Sequence, residues 1–281
     1  MMIDFNGEFI SAKQPVLFAE NRGYNYADGL FETLRFIDKK IIFWEDHYER
    51  LISGMQTLQM EIPSYFSKDY LANRIVKLIA KNKLSNQAVR IKINVHREAK
   101  GFYTPTAQNI AYFIRVEELK KTTYSFSLKK YKAGIYNLHK VAADPLSTLK
   151  TTNKLINVLG SIYAQKNGFD NCFLYNQKGN IIEALNGNLF CVFENQIKTP
   201  PLSEGCLNGI TRKKIMLCIK ENNFRLSEEP LQLSDLLEAK ELWITNSIMG
   251  IQPVFQFKDK IYKAEIAKQL EKALNLKAKM N

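Results

Sequence analysis

The sequence predicts an α/β protein made of two αβ domains, and three observations support this prediction. The chain has 281 residues, 46% of them hydrophobic, which is enough for two medium-sized cores. Short strand-like runs alternate with stretches of helical periodicity along most of its length. A charged, apolar-poor stretch at residues 117–124, EELKKTTY, is typical of a linker. We therefore place an N-terminal domain at 1–117, a linker at 118–124 and a C-terminal domain at 125–281.

The N-terminal half begins with a predicted hairpin and continues as an αβ domain. MIDFNGEFI predicts two strands joined at Asn6-Gly7, a strong hairpin signal. GLFETLRFIDKKIIFW predicts two more strands around residues 38–40. EDHYERLISGMQTLQM and SKDYLANRIVKLIAKNKL carry apolar residues at helical spacing. Two β-like runs, QAVRIKINVH and NIAYFIRVEE, complete this half and are joined by a polar loop.

The C-terminal half predicts a second αβ arrangement. PLSTLKTTNKLINVLG resembles the start of a buried helix. After it come a strand pair that turns at Lys178-Gly179 and the strand NLFCVF. A Pro-Pro turn at 200–201 precedes a helix from about Gly209, and ELWITN predicts another strand. The last residues predict an amphipathic helix.

Charge and hydropathy narrow the functional class. The net charge is +12, but the lysines are spread along the chain, which favours a solvated basic surface over nucleic-acid binding. Such a positive field would favour anionic small ligands. No apolar run reaches the length of a membrane helix, and the N-terminus lacks the order of a secretory signal. We expect a cytoplasmic protein that binds neither nucleic acid nor membrane.

Cysteine and histidine usage argues against a metal site. The four cysteines have spacings that fit no zinc site, and they are expected to be small buried hydrophobes: Cys172, Cys191, Cys206 and Cys218. Only three histidines occur, at 47, 96 and 139. We therefore expect no bound metal.

Two lysines four residues apart, Lys150 and Lys154, stand in the apolar stretch PLSTLKTTNKLINVLG. Burying an ammonium group is costly, so such a lysine either extends to solvent or has a depressed pKa that suits it to form a Schiff base. Pyridoxal phosphate chemistry would also require an anion site, a carboxylate for the pyridine nitrogen and an open face for substrate.

Candidates for the anion site and the carboxylate are present. Gly209-Ile210-Thr211 stands where a loop becomes a helix, which suits a phosphate, although a plain helix cap uses the same geometry. Arg50 and Ser247 are further potential phosphate donors. Glu183 lies between apolar strands and would need a partner such as a pyridinium N–H, or it faces outward at a strand end.

The order of these motifs resembles a known family. RGYNYADGLFETLR and HYERL are followed by KTTN, GNIIEALNGNLF, NGITR and ITNSIMGIQPV. This succession, over roughly residues 2–256, is similar to the class IV pyridoxal-phosphate enzymes of fold type IV. These enzymes include branched-chain aminotransferases, D-amino-acid aminotransferases and 4-amino-4-deoxychorismate lyases.

The resemblance implies a fold and a set of site residues. It implies two αβ domains with pyridoxal 5'-phosphate in the interdomain cleft, a small-molecule substrate and a homodimer. Lys150, which precedes Thr-Thr-Asn, matches the Schiff-base position in the C-terminal domain, and Lys154 is then an ordinary basic side chain. The other cofactor-binding positions implied are Glu183 at the pyridine nitrogen and, around the phosphate, Arg50, Ile210, Thr211, Asn246 and Ser247.

Three local features favour the lyase within this family. Thr33 stands where transaminases carry a glycine or a small apolar residue, and in the lyases a threonine here is implicated in proton delivery. The sequence TNS at 245–247 is similar to the lyase pattern. Lys154 replaces a tyrosine of the branched-chain enzymes. The lyase reaction would imply a role of this protein in folate supply. An amino-acid transaminase of the branched-chain type remains the alternative.

The substrate contacts implied by the resemblance lie on two segments. Phe31 stands where D-amino-acid aminotransferases place a tyrosine, and their Arg-x-His pair is not reproduced by His96-Arg97. The D-specific reaction is therefore disfavoured. Phe31, Arg97 and Lys100 are the expected substrate contacts, with the two basic residues on a loop and able to bind a carboxylate.

Overall fold

The chain divides into two compact units. The computed structural model describes residues 1–126, 130–194 and 196–280. Unit 1 contains residues 1–123 and 150–153, and unit 2 contains residues 124–149 and 154–280. The boundary after Thr123 falls within the stretch predicted as a linker, although the preceding strand continues to Leu119.

Unit 1 contains a six-stranded antiparallel sheet with the strand order β2-β1-β6-β5-β3-β4. Its strands are β1 (Met2–Phe5), β2 (Glu8–Ser11), β3 (Gly29–Ile37), β4 (Lys40–Ile41), β5 (Ala88–Arg97) and β6 (Ile110–Leu119). Its helices are α1 (Arg22–Asn25), α2 (Trp44–Thr57) and α3 (Lys68–Lys81). Alternate residues of β3 and β5, among them Leu34, Ile91 and Ile93, are completely buried, so one face of the sheet belongs to the core.

The hairpin predicted at the N-terminus is confirmed. Strands β1 and β2 pair in antiparallel fashion around Asn6 and Gly7. The φ angles of these residues are 49° and 89°, the left-handed region that a tight two-residue hairpin turn requires. Asn6 also accepts a hydrogen bond from the Tyr112 N–H at 2.7 Å, which ties the turn to β6.

Residues 150–153 are part of unit 1, in contrast to the sequence-based expectation. The Phe31 N–H donates to the Lys150 carbonyl at 2.9 Å, the Thr152 N–H donates to the Gly29 carbonyl at 2.9 Å, and Leu30 and Thr151 form a β-bridge. Lys150 therefore lies in an extended segment beside β3. The structure differs from one expectation, since Lys150 is grouped with unit 1 and not with the C-terminal unit, whereas the helix expected after Lys150 begins at Leu155. These hydrogen bonds with β3 provide partners for the Lys150 carbonyl and the Thr152 N–H, which in a helix would bond within the helix itself.

Unit 2 contains a mixed sheet with the order β12-β11-β10-β9-β8-β7-β15-β16, and β13 pairs with both β10 and β14. Its strands are β7 (Lys132–Val141), β8 (Asn171–Asn176), β9 (Ile181–Ala184), β10 (Gly187–Val192), β11 (Ile197–Thr199), β12 (Leu226–Glu228), β13 (Glu241–Asn246), β14 (Gly250–Val254), β15 (Gln256–Phe257) and β16 (Lys260–Ile261). Its helices are α4 (Leu155–Lys166), α5 (Ile210–Glu221), α6 (Leu233–Glu238) and α7 (Glu265–Met280), with 3₁₀ turns at Pro145–Thr148 and Leu202–Glu204.

The pairing of β7 with β8 explains the position of α4. These strands are parallel, and parallel neighbours need a long crossover connection, which usually contains a helix. Helix α4 is that crossover helix, and residues 150–153 precede it on the same connection. The catalytic candidate Lys150 therefore lies on a crossover between two strands of unit 2 while it is paired with a strand of unit 1.

Helix α4 is not buried as the sequence suggested. Leu155 is 65% exposed and Val158 is 52% exposed, and Leu159 and Ile162 on the same face are exposed as well. By contrast, the prediction for the cysteines is confirmed, since all four are buried and free. Within the described parts of the chain, every helix is too short or too polar to cross a lipid bilayer.

Candidate active site

Lys150, Phe31 and Thr33 occupy one region of unit 1. The Lys150 ammonium nitrogen lies 4.5 Å from the centroid of the Phe31 ring, and both residues are half-buried. Thr33 follows Phe31 by two residues in β3, so its side chain lies on the same face of the sheet. The pairing of residues 150–152 with β3 thus brings Lys150 to Phe31, and Thr33 lies two residues further along the same face.

The opposite face of β3 carries a buried charge network. Glu32 is buried between Leu30 and Leu34, and its two carboxylate oxygens accept hydrogen bonds from Nε and Nη2 of Arg50, both at 2.7 Å. His47 Nδ1 lies 2.7 Å from the same carboxylate. His47 and Arg50 are one turn apart on α2, which places both side chains above β3.

This network fixes the charge states of its members. Burial alone would raise the pKa of Glu32, but the Arg50 guanidinium and His47 outweigh burial and hold that pKa well below its ordinary value. Burial lowers the pKa of His47, and the Arg50 and Lys150 charges add to this against the attraction of Glu32. We infer that His47 is neutral at pH 7 and that its Nδ1–H donates to Glu32.

Arg50 was predicted to bind a phosphate. Because Glu32 accepts hydrogen bonds from Nε and Nη2, the guanidinium is oriented by a buried carboxylate. The phosphate role of Arg50 stays a prediction.

Glu183 and Lys154 lie near each other in unit 2. Glu183 is half-buried on β9, and its Oε2 accepts a hydrogen bond from the Leu207 N–H at 3.0 Å. Burial lowers the pKa of Lys154, and the negative charge of Glu183 acts in the opposite direction. Lys154 is therefore not the ordinary solvated side chain expected from the sequence.

The start of α5 has the properties of an anion site. Gly209 is the N-cap and provides no side-chain cap, so the first-turn N–H groups of Ile210 and Thr211 point out of the helix end. The Thr211 hydroxyl lies 3.5 Å from the Ser247 hydroxyl. A Cβ at Gly209 would lie 2.0 Å from Asn188 Oδ1, which explains the glycine at this turn.

Asn246, whose cofactor-binding role stays a prediction, shapes the turn that carries Ser247. Its Oδ1 accepts hydrogen bonds from the N–H groups of Ile248 and Met249 at 3.0 and 2.8 Å, and its Nδ2 donates to the Asn186 carbonyl at 2.9 Å. The side chain thus shapes the turn after β13 that presents Ser247. We assign Asn246 to positioning this turn.

Arg97 and Lys100 were predicted to contact substrate from a loop. Arg97 is instead the last residue of β5 and is buried; its Nε donates to Asp28 at 2.9 Å, and its Nη1 and Nη2 donate to the Gln59 and Leu58 carbonyls at 3.2 and 2.6 Å. Each guanidinium nitrogen already has a protein acceptor. This placement corrects the loop assignment of Arg97 and disfavours its substrate role. Lys100 is exposed, and its role stays a prediction.

Sequence reasoning missed Glu32 and His47. A usable signal was present, because Glu32 alternates with apolar residues on the core face of a strand, where a carboxylate needs a partner. The basic residues of HYERL, three positions apart on one helix face, were the available partners.

The model of the amino-transferase class IV family matches residues 29–257, most of the chain. The chain belongs to this family. It is therefore an enzyme that depends on pyridoxal phosphate, as the members of the class IV family do.

The chain is similar to relatives that are named for two different activities. A Methanocaldococcus jannaschii protein with the provisional name branched-chain-amino-acid aminotransferase is 27% identical, with 99% of this chain and 96% of that protein covered. The aminodeoxychorismate lyase of Bacillus subtilis is also 27% identical, with 93% and 88% covered. The crystal structure of a branched-chain aminotransferase from Thermoproteus uzoniensis with norvaline superimposes with a TM-score of 0.88 at 19% identity, over 98% and 93% of the two chains. The last similarity shows the shared fold.

The residues present fit pyridoxal phosphate. A helix start without a side-chain cap and two neighbouring hydroxyl groups suit its phosphate. The Thr245 hydroxyl, buried next to this turn, has no hydrogen-bond partner among the described residues. A half-buried lysine and a carboxylate held by a backbone N–H supply the other two requirements.

Proposed function

We propose that the enzyme is a 4-amino-4-deoxychorismate lyase, which converts its substrate into 4-aminobenzoate and pyruvate. In this reaction the carbon that bears the amino group loses a proton, and the enolpyruvate oxygen leaves the neighbouring ring carbon. One proton is delivered to the methylene carbon of the departing group. The products contain all the atoms of the substrate, and no oxidant or reductant is consumed.

Each step has a candidate residue in this chain. Lys150 would hold the cofactor and, as a free amine, would remove the proton from the amino-bearing carbon. Glu183 would hold the pyridine nitrogen protonated, and the start of α5 with Thr211 and Ser247 would hold the phosphate. Glu32 fixes the orientation of the Arg50 guanidinium, and burial lowers the pKa of His47, which lies 2.7 Å from the same carboxylate. When bound, pyridoxal phosphate supplies an electron sink for the broken C–H bond.

One observation carries the choice of the lyase. Thr33 lies on the same face of β3 as Phe31, whose ring contacts the Lys150 ammonium group, so a hydroxyl group lies on the sheet face that carries the proposed base. A hydroxyl at this point suits delivery of a proton to the leaving enolpyruvate, whereas the glycine or small apolar residue expected of a transaminase would supply none. The 27% identity to an aminodeoxychorismate lyase supports the same choice.

An amino-acid transaminase is the second candidate. It is favoured by the resemblance to the Methanocaldococcus jannaschii protein, which has the same identity as the lyase relative and slightly greater coverage. The fold match to a branched-chain aminotransferase is compatible with both candidates, since lyase and transaminase share this fold.

The deciding experiment compares the two reactions directly. Purified enzyme is mixed with aminodeoxychorismate, or with L-glutamate or L-leucine and a 2-oxo acid. We expect release of 4-aminobenzoate and pyruvate, with Thr33→Val lowering this turnover about 100-fold and Thr33→Ser retaining most of it. Amino transfer without any 4-aminobenzoate would contradict the lyase and support the transaminase. Equal losses of both activities in Thr33→Val would remove the threonine from the mechanism.

We also propose a homodimer in which the exposed apolar face of α4, formed by Leu155, Val158, Leu159 and Ile162, lies in the interface. A contiguous apolar face of this kind is typical of a contact surface. A second apolar feature is the loop tip with Phe102 and Tyr103, which are 84% and 89% exposed. Arg22 holds this tip by donating to the Gly101 and Tyr103 carbonyls at 3.0 and 3.2 Å.

Sedimentation velocity tests the dimer. Val158→Lys places a charge in the middle of the α4 face and is expected to shift the protein to monomer. Gln56→Lys, at an exposed polar position of helix α2, is the matched control and is expected to remain dimeric. A dimer that persists in Val158→Lys would show that the interface lies elsewhere.

A further inference from the structure

Tyr124 is the residue with which the chain enters unit 2, and its backbone is held by helix α7. The Tyr124 N–H donates to Asn275 Oδ1 at 2.9 Å, and Asn275 Nδ2 donates to the Tyr124 carbonyl at 2.7 Å. Two residues further on, the Phe126 N–H donates to Glu271 Oε1 at 2.6 Å. Glu271 and Asn275 are four residues apart on α7 and therefore lie on one face of it. Two side chains of α7 thus provide backbone partners for a segment that belongs to no strand.

The Tyr124 ring is buried against the hairpin of β13 and β14. The residue is only 2% exposed. A Cβ at Gly250, the first residue of β14, would lie 2.7 Å from Tyr124 Cδ1 and 2.9 Å from Tyr124 Cβ. The φ angle of Gly250 is 73°, which favours glycine for a second reason. The glycine therefore leaves room for the ring beside the hairpin.

The Tyr124 hydroxyl reaches the turn that joins these two strands. It donates to the Ser247 carbonyl at 3.3 Å, and the Ser247 hydroxyl lies 3.5 Å from the Thr211 hydroxyl at the start of α5. Asn246 stabilises the same turn by accepting two of its N–H groups. A buried phenol needs an acceptor for its O–H, so the orientation of the ring and the position of the Ser247 carbonyl depend on each other.

We propose that Tyr124 is a positioning residue of the cofactor's phosphate site, and that Asn275 holds it in place. The contacts lead from α7 to the Tyr124 backbone, and from the Tyr124 hydroxyl to Ser247, whose own hydroxyl faces the start of α5. Tyr124 thereby acts on the phosphate through Ser247, by fixing the distance between the two hydroxyl groups that would share it. This inference rests on the proposed function only in that Thr211 and Ser247 bind the phosphate, and it holds for lyase and transaminase alike.

The test measures equilibrium binding to the full-length enzyme after its cofactor has been removed. Pyridoxal phosphate and pyridoxal differ only in the phosphate, so a comparison of the two reports on the phosphate site. Binding is followed by the absorbance of the bound ligand. We expect Tyr124→Phe to weaken pyridoxal phosphate about fivefold, as the loss of one hydrogen bond implies, and to leave pyridoxal unchanged.

A matched variant separates this effect from a general loss of packing. Tyr262 is buried in the same unit, and its hydroxyl donates to the Leu236 carbonyl at 2.8 Å. Tyr262→Phe therefore removes a comparable hydrogen bond that involves neither α5 nor the turn at Ser247, and it should leave the affinity for both ligands unchanged.

Three outcomes would overturn the proposal. The first is an unchanged affinity for pyridoxal phosphate in Tyr124→Phe, the second is an equal loss for pyridoxal in that variant, and the third is an equal loss in Tyr262→Phe. Asn275→Ala is expected to weaken pyridoxal phosphate selectively, as Tyr124→Phe does. If Tyr124→Phe has the selective effect and Asn275→Ala has none, the role of Asn275 is wrong.

Ser247→Ala separates the failure of this inference from the failure of the phosphate site. If Ser247→Ala weakens pyridoxal phosphate and Tyr124→Phe does not, the phosphate site stands and the positioning role fails. If Ser247→Ala has no effect, the proposed phosphate role of Ser247 fails. In the double variant, the two losses of binding free energy should add to less than their sum, because Tyr124 acts through Ser247. The lyase assignment is decided separately, by the formation of 4-aminobenzoate.

Discussion

The middle and the end of strand β5 differ in how positive charge is compensated. At the end, buried Arg97 donates to Asp28 and to two backbone carbonyls, and Arg22 donates to the same carboxylate at 2.9 Å. In the middle, Lys92 faces Arg115 and has no nearby carboxylate among the described residues. The comparison teaches that a basic side chain near an active site is a poor candidate for binding substrate when its N–H groups already donate to acceptors of the protein.

The largest expected effect comes from replacing Lys150 or Lys154, two lysines that also differ in their surroundings. Lys154 lies near Glu183, whereas Lys150 lies over the Phe31 ring. We expect Lys150→Ala to abolish the near-visible absorbance of the bound cofactor and to lower turnover at least ~10³-fold, because the proposed base is lost. Lys154→Ala should keep the absorbance. Spectra and single-turnover rates check both, and the reverse pattern would mean that Lys154 is the reactive lysine.

The next effect is on stability and concerns the compensated end of β5. Asp28→Asn leaves Arg22 and Arg97, whose side chains are only 4% and 7% exposed, without their carboxylate. We expect a loss of about 3–5 kcal/mol in the free energy of unfolding, measured by urea denaturation. Glu20→Gln, at an exposed position of the same unit, should change it by less than about 0.5 kcal/mol. A loss below about 1 kcal/mol in Asp28→Asn would undermine the contrast.

The buried carboxylate of Glu32 makes the free energy of unfolding depend on pH. Its pKa is lower in the folded protein than its ordinary value of 4.5, mainly because Arg50 and His47 outweigh burial. The unfolded chain therefore binds a proton at a higher pH, and the stabilisation by ionised Glu32 is complete above 4.5 and is lost as the pH falls toward the folded-state pKa.

We expect Glu32→Gln to be less stable than the unmodified protein by about 2–3 kcal/mol at pH 7, since Arg50 loses its buried counterion. This difference should shrink as the pH is lowered below 4.5, in urea titrations at a series of pH values. A difference that stays constant down to pH 3 would show that Glu32 is not held ionised.

The smallest effect is expected at the exposed ion pair between Arg90 and Glu117 on strands β5 and β6. The side chains of Arg90 and Glu117 are 40% and 45% exposed, so their ion pair is well solvated. Glu117→Gln should change the free energy of unfolding, measured by urea denaturation, by less than about 0.5 kcal/mol. A loss above about 1 kcal/mol would show that solvent does not screen this ion pair.

Local patterns predicted the elements of the fold well. The Asn6-Gly7 turn, the alternation of β3 and β5 and the helical spacing of α2 and α3 depend on neighbours in sequence, and the structure contains each of them. The family motifs likewise indicated Lys150, Phe31 and Thr33; the fold places the Lys150 nitrogen over the Phe31 ring, and the roles of all three stay predictions. Short-range periodicity and motif order are sufficient for such features.

What the sequence did not predict depends on contacts between distant residues. The pairing of residues 150–152 with β3 decides that Lys150 is extended and part of unit 1, and no local signal encodes it. The burial of Arg97 depends on Asp28, 69 positions earlier. The exposed face of α4 is as apolar as a buried one, so periodicity alone could not separate a core helix from an interface helix.

The placement of residues 150–153 has a consequence for synthesis on the ribosome. Most of the N-terminal unit lies within residues 1–123, but the start of β3, which pairs with β5 on one side, lacks its partner on the other side until the chain has been extended through Asn153. A nascent chain that ends in the linker would expose the edge of β3 at Gly29–Phe31, a segment with free pairing capacity. We therefore expect that a gene split after residue 123 yields a fragment prone to association, and that adding the peptide 150–153 protects it.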